Sequence, residues 1–323
     1  MDDGAPRPMQ GDLGSYGPLL DALRGVTWPA RRHARGTVAG EHRSPLRGIS
    51  PEFTEYRPYR QGDDPRRLDW KLLARTDRAS VRVTRESSTL ATVIALDASA
   101  SMAFPRPALD KWAQGCRVAM GLAAVALAAG DPVGFVIATV DGVRRTAPRT
   151  RRSVLEEGAR LLGEVEPAAS TPLAPALRSA AAARGVRLAI ISDFLGDADD
   201  LLALARRRAS AGCDVLAVHI VADEELAPGD AAILAEDPEV AGFRRPLAAV
   251  TRAAYERAFG AWRDELARQW RSAGAVYTQV IASEAPARAV RRVVNGAAGV
   301  AGAGGEIGSR GDAPSETGRS AER

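Results

Sequence analysis

The chain has 323 residues, 46% of them hydrophobic and 26% charged, which is the range of a globular protein and excludes a fibrous or wholly disordered one. Its 44 Lys+Arg against 40 Asp+Glu leave a formal charge of +4, too small a surplus at this length to mark a nucleic-acid binder, and no nucleic acid is expected. Cys116 and Cys213 stand in separate hydrophobic segments and read as small buried thiols, not as a disulfide or a zinc knuckle. No basic region leads into an apolar run at the start, and the longest strongly apolar stretch, residues 118–129, is too short to span a bilayer. A cytoplasmic protein without an integral membrane segment is therefore expected, peripheral at the inner membrane only through a partner.

In chain order, residues 1–30 are rich in Gly, Pro and Asp and are expected to be poorly ordered apart from a short helix at 19–23. Residues 31–90 read as an accessory region with a β element, since Val81-Arg82-Val83-Thr84 alternates apolar and polar. Its Phe53, Tyr59 and Trp70 read as core anchors. Residues 91–295 have a different texture. Apolar runs at 91–96, 133–140, 186–191, 214–221 and 276–281 alternate with helical patterns at 111–129, 153–162, 172–184, 201–210, 251–272 and 286–294. Asp141-Gly142 signals a tight turn that returns 143–146 as an antiparallel edge. Buried strands alternating with helices predict an α/β domain, a mostly parallel sheet flanked by helices. Residues 296–323 lose periodicity and are expected to form a disordered tail.

Open α/β sheets bind ligands beyond the carboxyl ends of their strands, where strand order reverses. Asp97, Ser99 and Ser101 follow the 91–96 run at alternate positions, so that a tight turn can aim three oxygen-bearing side chains at one point. Asp193 follows the 186–191 run, and Thr171 opens the helix after 166–170. Two carboxylates and three hydroxyls suit a hard cation: Mg2+ first, with Mn2+ or Ca2+ as alternatives. Two carboxylates neutralise such an ion and leave a position open for a partner's acidic side chain. The same residue types also serve as ordinary turn and helix caps. No nucleophile, base and orienting group stand together, and neither a phosphate loop nor a nucleophile elbow is present, so an enzyme is not expected.

The residues Leu96-Asp97-Ala98-Ser99-Ala100-Ser101, Thr171-Pro172-Leu173 and Ile191-Ser192-Asp193 resemble the metal-ion-dependent adhesion site of von Willebrand factor A domains. The resemblance implies that Ser99, Ser101 and Thr171 supply hydroxyl ligands and that Asp97 and Asp193 bind directly or through water. Residues 40–76, with Gly40, Ser44, Gly48, Glu52-Phe53, Arg57, Tyr59, Gly62-Asp63, Arg66, Asp69-Trp70, Ala74-Arg75 and Thr76, resemble the signature of the bacterial domain of unknown function 58 family, as does the segment at 236–242. The likeness runs from about residue 25 to 295. It implies a von Willebrand factor A-like domain with a small N-terminal accessory β region. It also implies a metal-dependent protein-binding adaptor working with a MoxR-type AAA+ ATPase, or with that ATPase's client, through an acidic residue at the metal. Arg57, Tyr59, Arg66 and Arg75 form the candidate partner surface, because interfaces favour Arg and aromatic residues. A metal-dependent phosphoester hydrolase and a metal-free structural interaction module are the alternatives.

Overall fold

The structure is a computed structural model that describes residues 11–29, 53–60, 68–84, 89–108, 110–168, 172–180, 185–196, 198–229, 234–236, 244–246 and 249–303. Contacts divide the chain into two units, residues 1–35 with 90–323, and residues 36–89.

The first unit opens with a 3₁₀ turn, Leu13–Tyr16, that runs into α1, Gly17–Ala22. Asp12 caps the turn by accepting the Gly14 N–H at 3.1 Å, and a proline sits in the first turn of α1, where its missing N–H costs nothing. Tyr16, Leu23 and Trp28 are buried in the main core. Residues 11–29 therefore depart from the poorly ordered segment their polar composition suggests, because three large apolar side chains are enough to dock a short helix.

In the smaller unit, β1 (Phe53–Pro58) pairs antiparallel with β2 (Ser80–Thr84), with an irregularity between Phe53 and Glu55. Between them lies α2, Trp70–Thr76, capped by the Asp69 carboxylate, which accepts the Lys71 and Leu72 N–H groups. Trp70 is 64% exposed and Tyr59 36% exposed. The expectation that these two rings are core anchors is overturned: α2 turns Trp70 outward at its first residue.

The remaining elements belong to the first unit. In order they are β3 (Thr92–Asp97), α3 (Asp110–Ala128), β4 (Val133–Thr139), β5 (Gly142–Arg145), α4 (Ser153–Gly163), α5 (Leu173–Ala180), β6 (Arg187–Ser192), α6 (Ala198–Ser210) and β7 (Asp214–Val221). Next come α7 (Asp223–Leu226), the antiparallel pair β8 (Leu234–Glu236) and β9 (Arg244–Pro246), α8 (Ala249–Ser272), β10 (Val276–Ile281) and α9 (Pro286–Ala303). The fold is α/β. Six strands lie in the order β10-β7-β6-β3-β4-β5, with parallel pairing throughout except at the antiparallel edge β5.

β3, β6 and β7 are buried along their whole length, as strands covered on both faces must be. Ile94 and Leu96 face one core with α3, α4 and α9, while Val93 and Ala95 face the other with α5, α6 and α8. At Gly158 the α4 backbone approaches the sheet so closely that a Cβ would stand 2.5 Å from the Phe135 ring. At the amino ends of the strands, buried Arg187 donates to Asp131 (2.9 Å), to Thr92 Oγ1 (3.2 Å) and to the Trp28 carbonyl (2.9 Å), with its guanidinium over the Trp28 ring. This cluster ties the N-terminal segment to the sheet. α9 continues to Ala303 with Ala297 buried, so the helix extends past 296, where the tail was expected to begin. Among the described residues no helix is long and apolar enough to cross a membrane.

Candidate metal centre

The chain runs from β3 to β4 on one side of the sheet and returns through β6 on the other side of β3. Strand order thus reverses between β3 and β6, and the crevice at their carboxyl ends is where a ligand site belongs. Asp97 ends β3 and Ser192 ends β6. Ser192 Oγ donates to Asp97 Oδ2 at 2.7 Å, stapling the two strand ends together.

The β3 loop turns at once. Ser99 N–H donates to Asp97 Oδ1 at 2.9 Å, and Ser99 precedes a 3₁₀ turn, Ala100–Ala103. The turn brings Ser99 Oγ and Ser101 Oγ to 3.0 Å from each other. Asp97, Ser99 and Ser101 are all buried. On the neighbouring segment, the Ala168 N–H donates to the Ala98 carbonyl at 3.0 Å.

The β6 loop is as tightly wound. Phe194 adopts a left-handed backbone, φ +55°, a conformation that costs a bulky residue energy and gathers at functional or sharply turning sites. Its N–H is held by Ser192 Oγ at 2.8 Å, and the Leu195 N–H donates to Asp193 Oδ1 at 3.2 Å. The Phe194 ring packs 4.9 Å from Trp270 and 5.7 Å from His219.

Asp193 Oδ2 makes an ion pair with Lys111 Nζ at 2.6 Å, and the same ammonium meets Glu225 Oε1 at 2.8 Å. The Lys111 side chain is completely shielded from solvent. It lies in the first turn of α3, and Glu225 stands on α7 with Oε2 accepting the Ala222 N–H at 2.8 Å. The Phe104 ring centre lies 5.9 Å from the ammonium.

Electrostatics follow from this arrangement. Burial, reinforced by the Asp193 charge, pushes Asp97 up to about 6 against the pull of its Ser192 and Ser99 hydrogen bonds. Burial works against the Lys111 ammonium, but Asp193 and Glu225 outweigh it and raise Lys111 above the ordinary lysine value. Burial raises Glu225 by more than Lys111 lowers it. His219 is pushed down to about 3, by burial first, with Lys111 and Arg263 adding to it and Asp193 opposing. His219 is therefore neutral, and its Nδ1 lies 2.5 Å from the Tyr277 hydroxyl.

Of the five expected ligands, Asp97, Ser99, Ser101 and Asp193 converge on the β3–β6 crevice. Thr171 lies outside the described residues. Among the described residues no three His, Cys, Asp or Glu side chains stand together as a metal cluster. Of the expected partner surface, Tyr59 and Arg75 are exposed on the smaller unit, Arg57 lies in β1, and Arg66 is outside the described residues. Lys111, Glu225 and the bridging role of Ser192 escaped the sequence reading. Their one visible signal was a lysine at the head of a helix whose following turns are almost wholly apolar.

Residues 55–265 match the family described as "Protein of unknown function DUF58". Uncharacterized proteins of Mycobacterium bovis and Mycobacterium tuberculosis are each 30% identical to the chain over 285 residues, covering 84% of this chain and 86% of theirs. Among solved structures, BatB from Bacteroides thetaiotaomicron aligns with TM-score 0.41 and 15% identity, over 65% of this chain and 99% of that one. An aerotolerance-related membrane protein from Bacteroides fragilis aligns with TM-score 0.39 and 19% identity, over 64% and 98%. Likenesses at that level carry no argument about the site or its function. The sequence matches do settle the family: the chain belongs to the proteins of unknown function DUF58.

Proposed function

We propose that the chain is a protein-binding adaptor, not an enzyme, and that a hard divalent cation at the carboxyl end of β3 mediates the binding. The observation that carries this reading is the convergence of Asp97, Ser99 and Ser101 at the switch point, with the two hydroxyl oxygens 3.0 Å apart. Neighbouring vertices of an octahedron with bonds of about 2.0–2.1 Å are separated by about 3.0 Å. The two hydrogen-bonded hydroxyls therefore stand at a separation compatible with two Mg2+ ligands, and Mn2+ or Ca2+ are the alternatives. The charge count agrees with it, since two carboxylates (Asp193, Glu225) meet one buried ammonium and a third, Asp97, feels the Asp193 charge. When all are ionised, that cluster carries an excess of two negative charges, which a divalent ion would neutralise.

Asp97, Ser99 and Ser101 would hold the ion, with Thr171 and Asp193 as the further candidates. Its open position would accept an acidic side chain of a protein partner. A von Willebrand factor A-like assignment for 91–295 is supported by the site's place at the strand ends. A MoxR-type AAA+ ATPase or its client is the partner we favour, met in the cytoplasm or at the inner membrane through that partner. A hydrolase would need a general base beside the ion, whereas His219 is buried, made a very weak base by that burial, and hydrogen-bonded to Tyr277.

A second reading, a metal-free interaction module, is favoured by one observation: Asp193 already has a cation, Lys111. Affinity capture from lysate with Mg2+ and with EDTA separates the two. The adaptor reading expects a Mg2+-dependent partner that is lost when Asp97 and Ser99 are both changed to Ala. Capture of the same partner by both proteins in EDTA supports the metal-free module.

A further inference from the structure

The proposed cation site already contains a permanent charge of its own sign. Lys111 Nζ lies 2.6 Å from Asp193 Oδ2 and 2.8 Å from Glu225 Oε1, with no solvent access. Its location runs against two general preferences. A lysine in the first turn of a helix faces the positive end of the helix dipole, and an ammonium that is fully buried loses its hydration. Two carboxylates are needed to hold it there.

Both carboxylates are themselves fixed. Glu225 is anchored through Oε2 on the Ala222 N–H, and Asp193 through Oδ1 on the Leu195 N–H. Each carboxylate is thus held by one oxygen on the backbone while the other faces Lys111. A divalent ion that recruits Asp193 must either share that carboxylate with a buried ammonium or displace it onto Glu225 alone.

We infer that Lys111 is an internal competitor of the divalent cation: it occupies Asp193 and thereby makes the metal weakly held and exchangeable. The inference rests on the cation reading above. It turns a resident metal into one that is bound firmly only when a partner's carboxylate adds its charge. Asp97, Ser99 and Ser101 would remain the inner grip on the ion, and Lys111 would act as a positioning residue through Asp193.

The test is calorimetric titration of the full chain with MgCl2. Lys111→Met alone leaves two buried carboxylates unpaired and is prone to misfold, so the decisive protein is the double variant Lys111→Met, Glu225→Gln. It removes one positive and one negative charge, keeps the net charge of the cluster as it is, and preserves an acceptor for the Ala222 N–H. If Lys111 competes for Asp193, this variant binds Mg2+ at least tenfold tighter than wild type. If net charge alone governs the site, its affinity equals that of wild type, and the competitor role is overturned. Glu225→Gln alone, which leaves Lys111 to Asp193, should bind Mg2+ at least threefold more weakly; equal or tighter binding overturns the inference. If none of these proteins, wild type included, takes up Mg2+, the cation reading itself fails and the inference falls with it.

Discussion

Lys111 and Asp193 meet at 2.6 Å with both side chains closed to solvent, and this pair links the amino end of α3 to the carboxyl end of β6. Removing one partner of such a pair strands the other as a buried charge, which typically costs about 3–5 kcal/mol. Lys111→Met is expected to lose about that much in urea unfolding in EDTA. The double variant with Glu225→Gln should recover part of the loss, because only Asp193 is then unpaired. A Lys111→Met loss below about 1 kcal/mol would place the pair among ordinary surface bridges.

Asp97 gives a pH-dependent prediction. Its pKa in the folded chain is about 6, against 3.8 ordinarily. Between those values the folded chain holds a proton that the unfolded chain has released. The stability contributed by this group is therefore full below pH 3.8 and is lost as pH rises through about 6. The ionised carboxylate costs roughly 3 kcal/mol at neutral pH in metal-free protein. Asp97→Asn should thus be more stable than wild type by about 1–3 kcal/mol at pH 7.5 in EDTA, with the advantage vanishing near pH 4. Denaturant melts at the two pH values check this, and a variant less stable at pH 7.5 would refute it.

At the opposite end of the sheet, Arg187 joins Trp28, Asp131 and Thr92. Arg187→Met is expected to cost about 3–5 kcal/mol, since Asp131 loses its buried partner. It should also release residues 11–29 first, so that limited proteolysis cuts there before the sheet unfolds. Simultaneous loss of segment and sheet would show that the N-terminal segment is not tied on by Arg187.

Much of the sheet was legible in the sequence because its strands are continuous apolar runs ending at turn residues. β7 and β10 have the bounds read from the sequence, 214–221 and 276–281, and β5 returns antiparallel after Asp141-Gly142 as the turn signal implies. The loop chemistry at Asp97, Ser99 and Ser101 was legible for the same reason, since the three residues are local. Lys111 was not. A single lysine at a helix start looks like a solvated residue until the fold brings Asp193 and Glu225 to it. The aromatic residues of the smaller unit mislead in the opposite direction, because ring content does not fix burial and α2 directs Trp70 outward.

That exposure yields a further prediction. Trp70→Ala should change stability by less than about 0.5 kcal/mol, as surface substitutions do, while weakening partner capture if α2 belongs to the partner surface. Unfolding midpoints and capture yields measure the two effects separately. A stability loss above about 2 kcal/mol would mean the ring is packed in solution.

The most direct test of the adaptor account is calorimetric Mg2+ titration of wild type beside the variant with Asp97 and Ser99 both changed to Ala, in metal-stripped buffer at pH 7.5. The account predicts saturable uptake of Mg2+ by wild type and none by the variant, with both proteins folded. Absence of uptake by wild type, or equal uptake by both, would contradict it.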